Sequence, residues 1–150
     1  MRAVFVLIAL IALSPLACQR SAPADQAPEA PPGPPVFVRK DGAQIYAGLG
    51  RPLPAQPRAK EATCLASLAQ AKLLADEPDA RVQRRARERR VACRTFLAET
   101  WTKRAEAAEG EGRAEPCLNA RAQIRHLRKD APKAADGLAA GVDRVCSQVR

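Results

Sequence analysis

The stretch "CLASLAQAKLLADEPDARVQRRARERRVAC", residues 64–93, begins and ends in cysteine and has its one proline, Pro78, at its middle. On both sides of "DEPDA" (76–80) the residues are Ala, Leu, Lys, Gln, Arg and Glu, all good helix formers. The stretch therefore reads as two helices folded back on each other. In an antiparallel helical hairpin, residues equidistant from the turn lie side by side. The midpoint of the cysteine pair falls between Pro78 and Asp79, so Cys64 and Cys93 meet at the open end. A disulfide needs Cα atoms roughly 4.4–6.8 Å apart, and Ala-rich helices pack closely enough to allow it.

The same arrangement recurs downstream. "CLNARAQIRHLRKDAPKAADGLAAGVDRVC", residues 117–146, again separates its terminal cysteines by 29 positions and centres on a proline-marked turn, between Ala131 and Pro132. A shift of 53 residues superimposes Cys64 on Cys117, Leu65 on Leu118, Gln70 on Gln123, Leu74 on Leu127 and Cys93 on Cys146. This is the signature of a diverged internal repeat. Four cysteines allow three pairings, and the symmetry selects Cys64–Cys93 and Cys117–Cys146 over a cross-linked bundle bonded Cys64–Cys146 and Cys93–Cys117. No CxxC occurs and His126 is the single histidine, so a metal site is not expected.

Outward from these pairs, breaks at 76–80, 109–116 and 129–137 leave four helices, at about 59–76, 79–109, 115–130 and 132–149. Pro116 suits a first helical turn, where its missing N–H is no loss. The apolar stripe is thin: Cys64, Leu68, Ala71 and Ala75 on the first helix, Val82, Ala86, Cys93, Leu97 and Thr100 on the second. Each closed loop should therefore matter, at roughly 3–4 kcal/mol in the chain-entropy model. The expected fold is mostly α, two disulfide-stapled antiparallel hairpins forming a helical domain over 58–150.

Ahead of the helices, "VFVRKDGAQIY" (36–46) has Val36 and Val38 on one side of a DG pair and Ile45 and Tyr46 on the other, a short β-hairpin signal. "AGLGRPLPAQP" (47–57) reads as linker, so 36–57 is a possible hairpin and linker. Residues 19–35, "QRSAPADQAPEAPPGPP", hold six prolines and no aliphatic side chain larger than Ala. Such a segment buries too little to offset its ordering entropy and reads as an extended tether, part of a region at 18–35.

The chain opens "MRAVFVLIALIALSPLAC". Arg2 and the amino terminus supply positive charge, and the apolar run from Ala3 to Leu13 is far shorter than the ~20 residues of a transmembrane helix. It fits a signal peptide at 1–17. Its end, Leu16-Ala17-Cys18, resembles the lipobox of bacterial lipoproteins, with Pro15 departing from the usual residue at −3. The resemblance implies diacylglycerol on the Cys18 sulfur, cleavage before it and acylation of the new amine. Three acyl chains exceed the two-signal threshold for stable anchoring. Gln19, which is not Asp, implies sorting to the outer membrane, on its periplasmic face. The alternative is plain secretion to the periplasm or beyond, with Cys18 incidental. Lipidation of Cys18 also explains the odd cysteine count, because the other four then pair completely.

The formal net charge is +9, which draws a chain to anionic surfaces such as lipopolysaccharide, cell-wall polymers or nucleic acid. "RVQRRARERRVACR" (81–94) carries seven arginines and one glutamate. Arg81, Arg84, Arg85 and Arg87 are candidate anion contacts; the alternative is a solvated helix whose stems snorkel over the core. Phe96 and Trp101 are candidate partner contacts, or packing for the second hairpin. His126 has Asp130 four residues on but no nucleophile beside it, and no catalytic constellation, cofactor motif or small-molecule site emerges. Two function classes follow. The first is a lipid-anchored, non-catalytic binding or assembly factor, similar in architecture to the pilotins, which hold a partner's amphipathic helix in a groove. The second is a basic module contacting anionic envelope polymers or nucleic acid. Metabolic labelling with a clickable fatty acid tests the address: wild type should label and Cys18→Ala should not.

Overall fold

The computed structural model describes residues 33–147; the signal-peptide, Cys18 and tether readings lie outside them. Among the described residues there are five α-helices, one 3₁₀ turn and no strand. The helices are α1 (Gly42–Gly50), α2 (Pro57–Leu73), α3 (Ala80–Ala107), α4 (Ala114–Asp130) and α5 (Pro132–Cys146), with the 3₁₀ turn Gly110–Arg113 between α3 and α4. Two disulfides join them, Cys64–Cys93 between α2 and α3 and Cys117–Cys146 between α4 and α5, with Cα separations of 5.0 and 5.6 Å.

Prolines mark the helix starts: Pro57 and Pro132 open α2 and α5, where their fixed φ is already helical. Asp79 caps α3 by accepting from the Arg81 backbone N–H at 2.8 Å. With 28 residues, α3 runs for about 42 Å at ~1.5 Å per residue. It is the spine of the domain and packs against all four other helices, most broadly against α4.

The core is divided among three clusters. Ala98, Ala105, Ala120, Ile124, Leu127, Ala135 and Val142 gather around the Cys117–Cys146 bond. Leu97 packs on the Cys64–Cys93 bond. Trp101 touches both clusters and so ties the two staples together. On α2 the buried face is Cys64, Ser67 and Ala71, with Leu74 just past the helix end. The expected stripe through Leu68 and Ala75 is thus rotated: Leu68 is half-buried and Ala75 exposed. The rotation turns α2 to receive an element the sequence pattern assigned elsewhere.

That element is α1. The β-hairpin expected at 36–46 does not form, and the linker reading fails over 47–50. Residues 36–40 are extended or turning, and the DG pair is the start of a helix. Ile45 and Leu49, four residues apart, share a face of α1 and are buried against Ala71, Leu74, Val82 and Ala86. Gly42 is needed at the entry, because a Cβ there would stand 2.8 Å from Cδ1 of Phe37. The physical reason is backbone satisfaction. A lone two-stranded ribbon is marginal in water, whereas the buried Glu77 carboxylate accepts from the backbone N–H groups of Val38 at 2.8 Å and Arg39 at 3.2 Å. Asp79 accepts from Val36 N–H at 3.2 Å. These carboxylates take donors that a second strand would have taken.

At the other end of α1, the buried Arg89 donates through Nε and Nη2 to the Leu49 carbonyl and through Nη2 to that of Arg51. Its stem lies on the core side of α3 and its charge meets the negative end of α1. Arg89→Ala should therefore release α1 without melting α2–α5. Hydrogen exchange over residues 45–49 should rise by a factor matching about 2 kcal/mol of lost local protection, the order of a charged hydrogen bond, while protection around Leu97 and Leu127 stays unchanged.

Candidate anion-binding cleft

The arginine run of α3 occupies the half of that helix nearest its start, and the structure places each member differently. Arg81 closes on Asp79, with Nη2 2.6 Å from Oδ2. That contact first, with backbone donors from Arg81 and Val36 after it, holds the Asp79 carboxyl well below the usual carboxylate range. Arg85 lies over the Tyr46 ring of α1, its guanidinium carbon 3.9 Å from the centroid. Arg87 donates to the Asp130 carbonyl at the end of α4, and Arg89 is buried under α1. Arg90 makes a two-pronged bond to the Asp130 carboxylate, at 2.9 and 2.8 Å. Arg84 is exposed. Arg81, Arg85 and Arg87, three of the four candidate anion contacts, thus also hold parts of the domain together.

Phe96 and Trp101, the candidate partner contacts, are half-buried beside the first staple. The Lys60 ammonium lies 4.5 Å from the Phe96 ring centroid and the Arg104 guanidinium 4.4 Å from that of Trp101. Arg104 is fixed there by Glu61 of α2, at 2.9 and 2.6 Å.

Arg94, the last arginine of the run and not one of its four candidate contacts, opens a different site. It projects where α2, α3 and α4 diverge, and donates Nη1–H to Gln123 Oε1 at 2.9 Å. Around it lies a cleft of about 530 Å³, lined by Leu68, Lys72 and Ala75 of the α2 side, Gln83, Arg90 and Arg94 of α3, and His126, Lys129 and Asp130 of α4. Asp130 is the single carboxylate of this lining and is committed to Arg90. Lys72, Arg94 and Lys129 face no carboxylate within ion-pair distance among the described residues.

The surroundings tune the titrating groups accordingly. The Arg90 hydrogen bonds hold the Asp130 carboxyl below its ordinary value, against the opposing effect of burial, with help from the charges of Arg90, Arg87 and Arg94. His126 is pushed down, chiefly by the Arg94 charge, then by burial, Lys129 and Arg125. The imidazole therefore stands among cations that outnumber the one carboxylate nearby. His126 and Asp130, four residues apart, form no ion pair; Asp130 bonds to Arg90 instead. The sequence signal for this cleft was the 3–4 residue spacing of Arg90 with Arg94 and of His126 with Lys129 and Asp130. Without the docking of α4 on α3, nothing linked the two sets.

A second groove, between α3 and α5, is more apolar and about 190 Å³ in volume, lined by Ala98, Thr102, Leu138, Gly141 and Val142 among others. Among the described residues no group of His, Cys, Asp and Glu is placed to hold a metal ion, and no helix is long and apolar enough to cross a membrane. Compared with known proteins, the chain matches no family model and gives no significant match to a curated protein or a solved structure.

Asp130 carries a testable consequence. Its carboxyl is depressed in the folded state, so its contribution is full above the unfolded value of about 3.9 and is lost as pH falls through the lower folded value. Asp130→Asn should destabilise the domain at neutral pH by about 1–2 kcal/mol, the order of a charge-assisted pair. The gap between mutant and wild type in denaturant melts should close as the pH drops below about 4.

Proposed function

We propose that this chain is a lipid-anchored bacterial envelope protein whose helical domain is a non-catalytic binding module for anionic envelope surfaces. The observation that carries the reading is a charge asymmetry along α3, aligned with the point where the N-terminal segment enters the domain. The half of α3 from Arg81 to Arg94 and the end of α4 from Arg125 to Lys129 lie together, joined through Arg87, Arg90 and Asp130. The opposite end of α3 turns into α4 through "EGEGRAE" (109–115), where Glu109, Glu111 and Glu115 outnumber Arg113. The N-terminal segment joins the domain at Val36, against Asp79 at the start of α3, which is the basic end. A tether anchored at Cys18 would thus bring that end to the bilayer first, where each basic side chain near the surface contributes about 1 kcal/mol of attraction.

The domain reads as two copies of one stapled hairpin. Buried Cys64, Ser67, Ala71 and Leu74 correspond, 53 residues on, to buried Cys117, Ala120, Ile124 and Leu127. Val82, Arg89 and Cys93 correspond to Ala135, Val142 and Cys146. Arg89 in the first copy stands where Val142 stands in the second, so it is the first copy that acquired the means to hold α1. The second class, an assembly factor holding a partner's helix, is supported less well, because the apolar groove of about 190 Å³ has room for a side chain or two and not for a helix.

The test is sedimentation of the mature chain, from residue 18 onward and carrying Cys18→Ala, which lacks both the acyl anchor and the apolar leader, with vesicles of anionic or zwitterionic phospholipid. Binding to the anionic vesicles should be strong at low ionic strength and collapse by about 0.5 M salt, where screening reaches ~4 Å; zwitterionic vesicles should leave the protein in solution. Equal partition to both would sink the reading.

A further inference from the structure

We infer that the cleft between α2, α3 and α4 is a binding site for a phosphate group, with Lys72, Arg94 and Lys129 as its cationic contacts. This deepens the envelope-surface reading and rests on it for the source of the ligand. Three observations support it. The cleft's only carboxylate, Asp130, is bonded to Arg90, so Lys72, Arg94 and Lys129 form no ion pair and the cations of this concave space outnumber its one carboxylate. Arg94 gives one of its N–H groups to Gln123 and retains the rest of a planar donor fork, the geometry that suits phosphate oxygens. Helices α2, α3 and α4 each supply one of the three cations, and two staples together with the Arg90–Asp130 bond fix those helices. The site is therefore formed before ligand arrives.

The cleft also carries its own reporter. His126 is the chain's single histidine, and the Arg94 charge disfavours its protonated form, with burial, Lys129 and Arg125 adding to the effect. The charged groups around it are Lys72 from α2, Arg90 and Arg94 from α3, and Arg125, Lys129 and Asp130 from α4. A bound phosphate offsets the cations, so the imidazole should take up a proton on binding. Binding is then coupled to proton uptake at His126.

The experiment is NMR titration of the His126 ring in the mature chain, from residue 18 onward and carrying Cys18→Ala, with inorganic pyrophosphate in one arm and phosphatidic acid vesicles in a phosphatidylcholine background in the other. The His126 pKa should rise toward or past its ordinary value of about 6.5. Lys72→Ala and Lys129→Ala remove exposed side chains that hold nothing else in the fold, and each should weaken binding about tenfold, the effect of one charge-assisted hydrogen bond. Lys103→Ala and Arg144→Ala remove the same charge from outside the cleft and should change affinity less than about twofold. A response in both arms assigns the site to free phosphate compounds as well as headgroups; a response to pyrophosphate alone assigns it to free phosphate compounds, and one to the vesicles alone to headgroups. No movement of the His126 pKa in either arm, or equal weakening by the two control variants, overturns the proposal. Anionic-vesicle sedimentation that survives intact in Lys72→Ala and Lys129→Ala overturns the cleft while leaving the envelope-surface reading standing.

Discussion

The constraint on which this domain depends is the satisfaction of helix C-termini. The last carbonyls of a helix have no partner within it, and the usual remedy is a glycine in the left-handed conformation. Here Gly110 is the only residue with positive φ among those described, and it follows α3 in the acidic turn. Instead, each of the five helices is ended by a side chain from another position. Arg89 holds the carbonyls of Leu49 and Arg51 after α1, and Gln83 holds those of Leu74, Ala75 and Glu77 after α2. Arg113 donates to Ala108 at the end of α3, Arg87 to Asp130 at the end of α4, and Arg121 to Cys146 at the end of α5. Four of the five caps are arginines, and each also places positive charge at a negative helix pole.

This use of arginine changes how the composition is understood. A chain with so many arginines looks like a polyanion binder, but much of the α3 run is occupied with holding α1 and α4 in place. The charge left over is more informative than the total. It concentrates at the basic end of the α3–α4 pair, in Arg84 and the exposed residues at the end of α4, and in the cleft at Lys72, Arg94 and Lys129. A side chain bound to a backbone carbonyl keeps its full charge, so a capping arginine still contributes to the long-range field. Structural and electrostatic roles therefore coexist in the same residues.

The small core follows from the same economy of size. Alanine and half-cystine dominate the helix interfaces, which lets α2 approach α3 and α4 approach α5 closely enough for disulfide geometry. Close approach also limits apolar burial, since Ala removes little surface from water. The staples and the inter-helix arginine bonds make up the difference by constraining the unfolded chain and by fixing register. Trp101 is the exception in size, and it is spent at the one place where both staples meet. A rigid, shallowly packed scaffold of this kind offers a surface of fixed charge rather than a deep pocket.

What the sequence settled by itself was set by local chemistry. Proline positions, helix-forming composition and the equal cysteine spacing were enough for the boundaries of α2–α5 and for both disulfides, because hairpin pairing depends only on distance from a turn. The segment 36–50 was not legible in this way. Its DG pair and alternating valines suit a strand ribbon, while its Ile45–Leu49 spacing suits a helix, and local propensity alone does not decide between them. The outcome depended on Glu77 and Arg89, residues 38 or more positions from the backbone groups they bind, whose buried charged groups accept and donate to the backbone on either side of α1. The cleft was hidden for the same reason. Lys72, Arg94 and Lys129 lie on three helices, and only the docking of α4 across α3 brings their charges to one place while Arg90 removes the carboxylate that would have cancelled them.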